Sequence, residues 1–216
     1  RGVLSALGID FDLHDSDVAA RGNFCTVDEG GRVTDRRAGR IPTEVTERLC
    51  ALLNEKVDIP GVKVFLEPVK EYRFLLVIRG EGLKANIQET DPQVVGEKPL
   101  PASALDSGSE KAAEIVQEFV KQAEQILKDE SPANMLLLRG FAQLPDWPKF
   151  PDTLDLHSIA IAMYPMYRGV AKLVGMESPP AAHSYEEEID MLEENWDKYD
   201  FFFVHIKKTD SYGEDG

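Results

Sequence analysis

The residues best equipped for chemistry are four arginines, Arg21, Arg36, Arg37 and Arg40, gathered near the start of a chain whose formal net charge is −15. A planar guanidinium grips phosphate or carboxylate through two parallel hydrogen bonds. Such a cluster in an acidic protein therefore asks for a small anion. Three of the four lie in one block, Asp35-Arg36-Arg37-Ala38-Gly39-Arg40. The competing reading is that they are solvated, or paired with Asp28, Glu29 and Asp35 nearby.

The segment that carries Arg21 alternates as a strand does. Val18, Ala20, Gly22 and Phe24 share one face, and Arg21 and Asn23 fall on the other. Gly30-Gly31 suits a turn that needs positive φ. The chain from Arg32 then folds back as a hairpin and brings Arg36, Arg37 and Arg40 toward Arg21. Strand parity sets Cys25 on the face of Arg21 and Asn23. No histidine pattern accompanies it, so Cys25 and Cys50 both read as small buried residues. Two cysteines make no disulfide framework, which fits a reducing cytoplasm.

A second candidate site lies near the end of the chain. Tyr199 to Lys207 is almost continuously apolar and predicts a strand buried on both faces, as in a parallel sheet. Ligands of open α/β sheets bind past the carboxyl ends of strands, and Asp210 and Glu214 stand there on either side of Gly213. Two hard oxygen donors suit Mg²⁺ or Mn²⁺. They are too few for a whole site, and solvated carboxylates are the plainer reading. His205 reads as a packed strand residue.

The elements around these residues alternate between helix and strand. Residues 2–7 predict the end of a helix. Thr43 can cap a helix carrying Val45, Leu49, Leu52 and Leu53. Val62–Leu66 and Glu71–Arg79 predict strands, the latter with Arg73 and Arg79 on the side of Leu75 and Val77. Residues 80–108, rich in Gly, Pro, Asp and Ser, predict a long excursion over the surface. A helix over 110–129 carries the stripe Ala112, Val116, Phe119, Val120, Ala123 and Leu127. Met135–Leu138 predicts a short buried strand opening into a loop at Arg139-Gly140. Three prolines between 141 and 155 mark a linker. Beyond it come a strand from His157 to Met163, a helix from Tyr164 to Gly175, and a capping box at Ser184-Tyr185-Glu186-Glu187. The expected architecture is α/β in two domains, 1–142 and 143–216.

Composition narrows the function classes. The chain has 216 residues, 43% hydrophobic and 29% charged, as an ordinary globular protein does. A pI near 4.7 speaks against a nucleic-acid surface, which needs a basic stripe. No apolar run approaches the length of a membrane span. The apolar core of Arg1–Leu7 is too short for a signal peptide. The missing initiator Met leads us to expect an excised piece.

Several motifs together resemble the archaeal-type cofactor-independent phosphoglycerate mutases of the alkaline phosphatase superfamily. They are Arg1-Gly2, Asp17–Asp28, Asp35–Ile41, Leu76–Leu83, Thr90–Pro92, Ala133–Gly140 and His205–Asp210 with Gly213, in the family's order along the whole chain. The resemblance implies an inserted α/β substrate domain followed by part of a phosphatase-like parallel-sheet domain. It implies interconversion of 3- and 2-phosphoglycerate in the cytoplasm, without 2,3-bisphosphoglycerate. In this family a serine or threonine takes the phosphoryl group, two divalent metals assist, and the inserted domain turns the retained glycerate. Arg21, Arg36, Arg37, Arg40 and Arg139 then hold carboxylate and phosphate, and Asn23 adds a hydroxyl contact. Asp35 is a candidate acid or base, or the partner of a neighbouring arginine. Asp210 matches a metal aspartate, and Glu214 stands where most relatives carry histidine. Two other readings are a superfamily relative acting on another phosphorylated metabolite, and a non-catalytic anion-binding module.

Overall fold

A computed structural model of the chain describes residues 1–206. Asp210 and Glu214 lie outside the described residues. The chain divides into two compact units. One comprises Arg1–Val3 and Leu13–Leu144, the other Leu4–Asp12 and the chain from Pro145 onward.

The first unit is built on an antiparallel sheet centred on β1 (Val18–Val27). On one side β4 (Arg73–Arg79) pairs with it, and β3 (Lys63–Lys70) pairs with β4. On the other side lies β5 (Met135–Ala142). The predicted hairpin forms: β2 (Val33–Asp35) returns along β1 in the register Thr26 to Asp35 and Val27 to Val33, with Gly31 at φ 74°.

Alternation along β1 sends its apolar residues into the core. Val18, Ala20 and Phe24 join Phe74, Leu76, Ile78, Leu136 and Leu138. Two helices cover them, α2 (Thr43–Lys56) through Leu49 and Leu53, and α3 (Glu110–Leu127) through Val116, Phe119 and Leu127. The rings of Phe24 and Phe74 lie 4.7 Å apart. They meet over Gly22, where a Cβ would fall 2.1 Å from Phe74 Cζ, so the strand needs glycine for the ring to lie flat on it.

Three local expectations change. Thr43 opens α2 but does not cap it; its hydroxyl accepts from Glu71 N at 3.0 Å, and Thr46 Oγ1 donates to Glu71 O at 2.6 Å. Both hydroxyls thus hold the β3–β4 turn, where Glu71 has φ 50°. Second, β5 does not open into a loop at Gly140. It runs on to Ala142 through a bulge, with Gly140 at φ 61° and Ala142 facing Ala19. Third, the 80–108 stretch is not confined to the surface. Thr90 and Asp91 are buried, and Thr90 is bonded to Leu138 on β5 in both directions.

In the second unit, α1 (Gly2–Gly8) contributes its later residues. A Cβ on Gly8 would meet Pro165 O at 2.0 Å, and one on Gly169 would meet Leu4 O at 2.0 Å. This close approach ties Leu4–Asp12 to α5 (Pro165–Leu173), a long-range contact that no local pattern signals. Strands β6 (Ser158–Ala162) and β7 (Phe201–His205) pair in parallel, and α4 (Phe150–Leu154) lies within the expected linker. Ser184 caps α6 (Tyr185–Asn195) by accepting from Glu187 N at 3.2 Å. β7 is not buried on both faces as its composition suggested: Phe201 is exposed and the rest half-buried. Among the described residues β6 is its sole partner, so its other edge has no strand beside it.

Candidate functional site

The face of the first sheet opposite the helices carries arginines and Asn23 among buried apolar residues such as Leu75 and Leu137. Register places them in rows. Arg21 on β1 is flanked by Leu75 on β4 and Arg139 on β5, and Asn23 by Arg73 and Leu137. Parity therefore brings Arg21, Asn23, Arg73 and Arg139 to one face, as the alternation of β1 predicted for the first two. The bulge at Gly140 follows directly after Arg139 and turns Gly140 N toward Glu89 Oε1, at 2.9 Å.

Asp91 draws the arginines together. Its side chain is fully buried. Arg36 meets it fork to fork, Nε donating to Oδ1 at 3.0 Å and Nη2 to Oδ2 at 2.7 Å. Arg139 Nη1 lies 3.4 Å from the same Oδ2, and Arg139 Nε donates to Glu89 Oε2 at 3.2 Å. Burial alone would push the Asp91 carboxyl up. The Arg36 bonds, the Gln93 N–H and the charges of Arg36 and Arg139 outweigh it and hold the group below its usual range. One carboxylate thus joins arginines from β5 and from the loop after β2.

Asp35 makes no ion pair with its neighbours in that loop. Its Oδ1 accepts from Arg37 N at 2.8 Å and its Oδ2 from Gly39 N at 2.6 Å. These bonds hold a turn in which Ala38, Gly39 and Arg40 all take positive φ, of 46°, 64° and 55°. Two of the three carry a Cβ, so the turn is strained, and Asp35 together with the buried Ala38 fixes it. Arg37 and Arg40 project from this turn. Both are exposed, and among the described residues no ion pair reaches either. Asp91 therefore links Arg36 and Arg139, and strand register sets Arg21 beside Arg139. The structure shows no contact joining Arg37 or Arg40 to Asp91.

Two further atoms bear on the site. Asn23 is buried, and its Oδ1 has no hydrogen-bond partner. Cys25 lies on the same side by parity and is fully buried. Burial, then the charges of Asp91 and Asp35, push its thiol far above the ordinary range, so it is no nucleophile. A concavity of about 880 Å³ lies elsewhere, between the Asp28–Gly31 turn, residues 98–101 and α3. Its charged side chains, of both signs, are all exposed to solvent, whereas the arginine face is organised by a buried charge.

Sequence reasoning missed Asp91, Glu89 and Arg73 as parts of this face. Thr90-Asp91-Pro92 stood among the motifs, but no periodicity says that an irregular loop dips to a sheet. Arg73, bonded to Glu71 and the Tyr72 hydroxyl, was legible from parity alone. Among the described residues no three His, Cys, Asp or Glu side chains converge as metal ligands, and no helix is long and apolar enough to cross a membrane.

An antiparallel sheet backed by helices on one face and carrying arginines on the other defines an α/β domain. Residues 1–134 match the 2,3-bisphosphoglycerate-independent phosphoglycerate mutase family, and the chain belongs to that family. It is 46% identical over its whole length to a relative from Thermosipho melanesiensis and 47% identical to one from Thermus thermophilus. Each is named as a probable 2,3-bisphosphoglycerate-independent phosphoglycerate mutase. In both cases the chain covers 54% of the relative, so it spans about half the length of the curated relatives it matches. Among solved structures it resembles the cofactor-independent phosphoglycerate mutase of Thermoplasma acidophilum, with TM-score 0.67 and 27% identity over 95% of this chain and 58% of that one. A protein of Pyrococcus horikoshii, 24% identical, shares the fold at TM-score 0.69, over 95% of this chain and 50% of that one.

Proposed function

We propose that this chain supplies the substrate-binding part of an enzyme that interconverts 3-phosphoglycerate and 2-phosphoglycerate without 2,3-bisphosphoglycerate. The observation that carries this reading is the arginine face with the unpartnered Asn23 Oδ1 set in it. A buried acceptor without a donor is costly, and a glycerate hydroxyl is a donor of the right kind.

In this reading Arg21, Arg36 and Arg139 form the fixed floor, and Arg37 and Arg40 supply charge that no protein carboxylate among the described residues already uses. Together they take the carboxylate and phosphate of the substrate, and Asn23 orients a hydroxyl. Asp35 holds the turn that carries Arg37 and Arg40, rather than acting as acid or base, because both its oxygens already accept backbone N–H groups. The unit from Pro145 onward is then part of a phosphatase-like domain. Divalent metal, Mn²⁺ or Mg²⁺, would supply charge stabilisation to phosphoryl transfer. The described residues do not assemble its site, and the proposed ligands Asp210 and Glu214 fall outside them. A cytoplasmic location follows from this activity.

Two measurements test the reading. A mutase assay on the full-length protein with Mn²⁺ or Mg²⁺ should show turnover of 3-phosphoglycerate with no added 2,3-bisphosphoglycerate. Calorimetry should show 3-phosphoglycerate binding to this chain. Turnover of other phosphorylated acids alone would reject the substrate assignment.

A further inference from the structure

We infer that Asp91 is a positioning residue of the arginine site: a buried carboxylate that locks Arg36 and Arg139 into one arrangement so that their remaining N–H groups face a common anion. The inference rests on the substrate reading above and adds to it a residue that itself need not touch substrate.

The geometry gives Asp91 no other work. Its Oδ1 accepts from Arg36 Nε and from Gln93 N, the latter at 2.8 Å. Its Oδ2 accepts from Arg36 Nη2 and lies against Arg139 Nη1. Each oxygen is thus used twice. The carboxylate is itself pinned, because Thr90 is stitched to Leu138 by its own N–H at 3.0 Å and by its hydroxyl at 2.8 Å. Arg36 and Arg139 come from separate elements and carry like charge, so without a shared counter-charge they would repel and splay. Bidentate pairing fixes the plane of a guanidinium as well as its place. Arg36 keeps Nη1 beyond the two donors that Asp91 occupies, and Arg139 keeps Nη2.

Asp91 is a negative charge inside an anion site, so Coulomb's law alone says that neutralising it tightens anion binding. Positioning says the reverse. Calorimetry of 3-phosphoglycerate binding to Asp91→Asn, in this chain, separates the two. We expect affinity to fall at least about fivefold. Equal or tighter binding overturns the inference. Arg36→Lys keeps the charge and removes the fork; it should also weaken binding, and wild-type affinity there overturns the inference too.

A second readout does not depend on substrate. In wild type, the Nε–H and Nη–H of Arg36 that Asp91 accepts should give dispersed nitrogen–proton NMR signals, and in Asp91→Asn both should move toward the position of solvated arginine. Should wild type bind no 3-phosphoglycerate, the substrate reading fails. The signals then decide the Asp91 role alone: retention overturns it, loss sustains it.

Discussion

Arg36 and Asp91 meet fork to fork across fifty-five positions of sequence, and the contact decides which arginines are available to a ligand. Arg36 has committed two donors to the protein. Arg37, its neighbour, has committed only its backbone.

That difference predicts a division of effects. In the full-length enzyme, Arg37→Ala and Arg40→Ala should each lower kcat/KM at least about tenfold, since a charged hydrogen bond is worth about 1.5–3 kcal/mol. Both should leave the thermal midpoint almost unchanged, because neither side chain has an ion pair among the described residues. Wild-type kcat/KM in both variants would remove Arg37 and Arg40 from the site.

Asp35 offers a contrast between turn-holding and proton transfer. Asp35→Asn keeps one carbonyl oxygen and so loses one of the two N–H bonds from Arg37 and Gly39. We expect a loss of activity with the pH profile unchanged in shape. Disappearance of one limb of the profile would mean that Asp35 is an acid or base after all.

Gly22→Ala should destabilise the first unit by about 1–3 kcal/mol, as overpacking of a core does, because the added methyl meets the Phe74 ring. Urea unfolding measures this, and an unchanged midpoint would show that the ring shifts freely.

Glu188 gives a pH prediction. It is fully buried; its Oε1 accepts from Met163 N at 3.1 Å and its Oε2 has no partner. Burial raises its pKa more than the Met163 bond lowers it. A carboxyl raised in the folded state contributes its full stability below the unfolded pKa and loses it as pH rises through the folded pKa. Glu188→Gln should therefore unfold at a higher temperature than wild type near pH 8 and at the same temperature near pH 4. The reverse order would show that the ionised carboxylate is the favoured form.

The legible parts of this protein were those with a period. The alternation of β1 placed Arg21 and Asn23 on the face away from the helices, the α3 stripe named its buried residues, and Gly30-Gly31 located the hairpin. What was not legible depended on contacts between distant, irregular segments. Asp91 reaches the sheet through Thr90 in a loop without periodicity. Leu4–Asp12 lie with α5 because Gly8 and Gly169 let backbones touch. The role of Asp35 turned on the direction of two backbone N–H groups in a left-handed turn, which residue types do not disclose. The apolar run of β7 read as a doubly buried strand because hydrophobicity reports what a segment can bury against, not which neighbours are at hand.

Cys25 and Cys50 have a practical consequence. Both are buried, and burial raises both thiols, Cys50 to about 12. Neither supplies thiolate at neutral pH, so the native chain should resist maleimide. One new cysteine at the exposed Val95 would then take a fluorophore selectively. Arrival of an anion at the arginine face becomes observable as light, with both natural cysteines left in place.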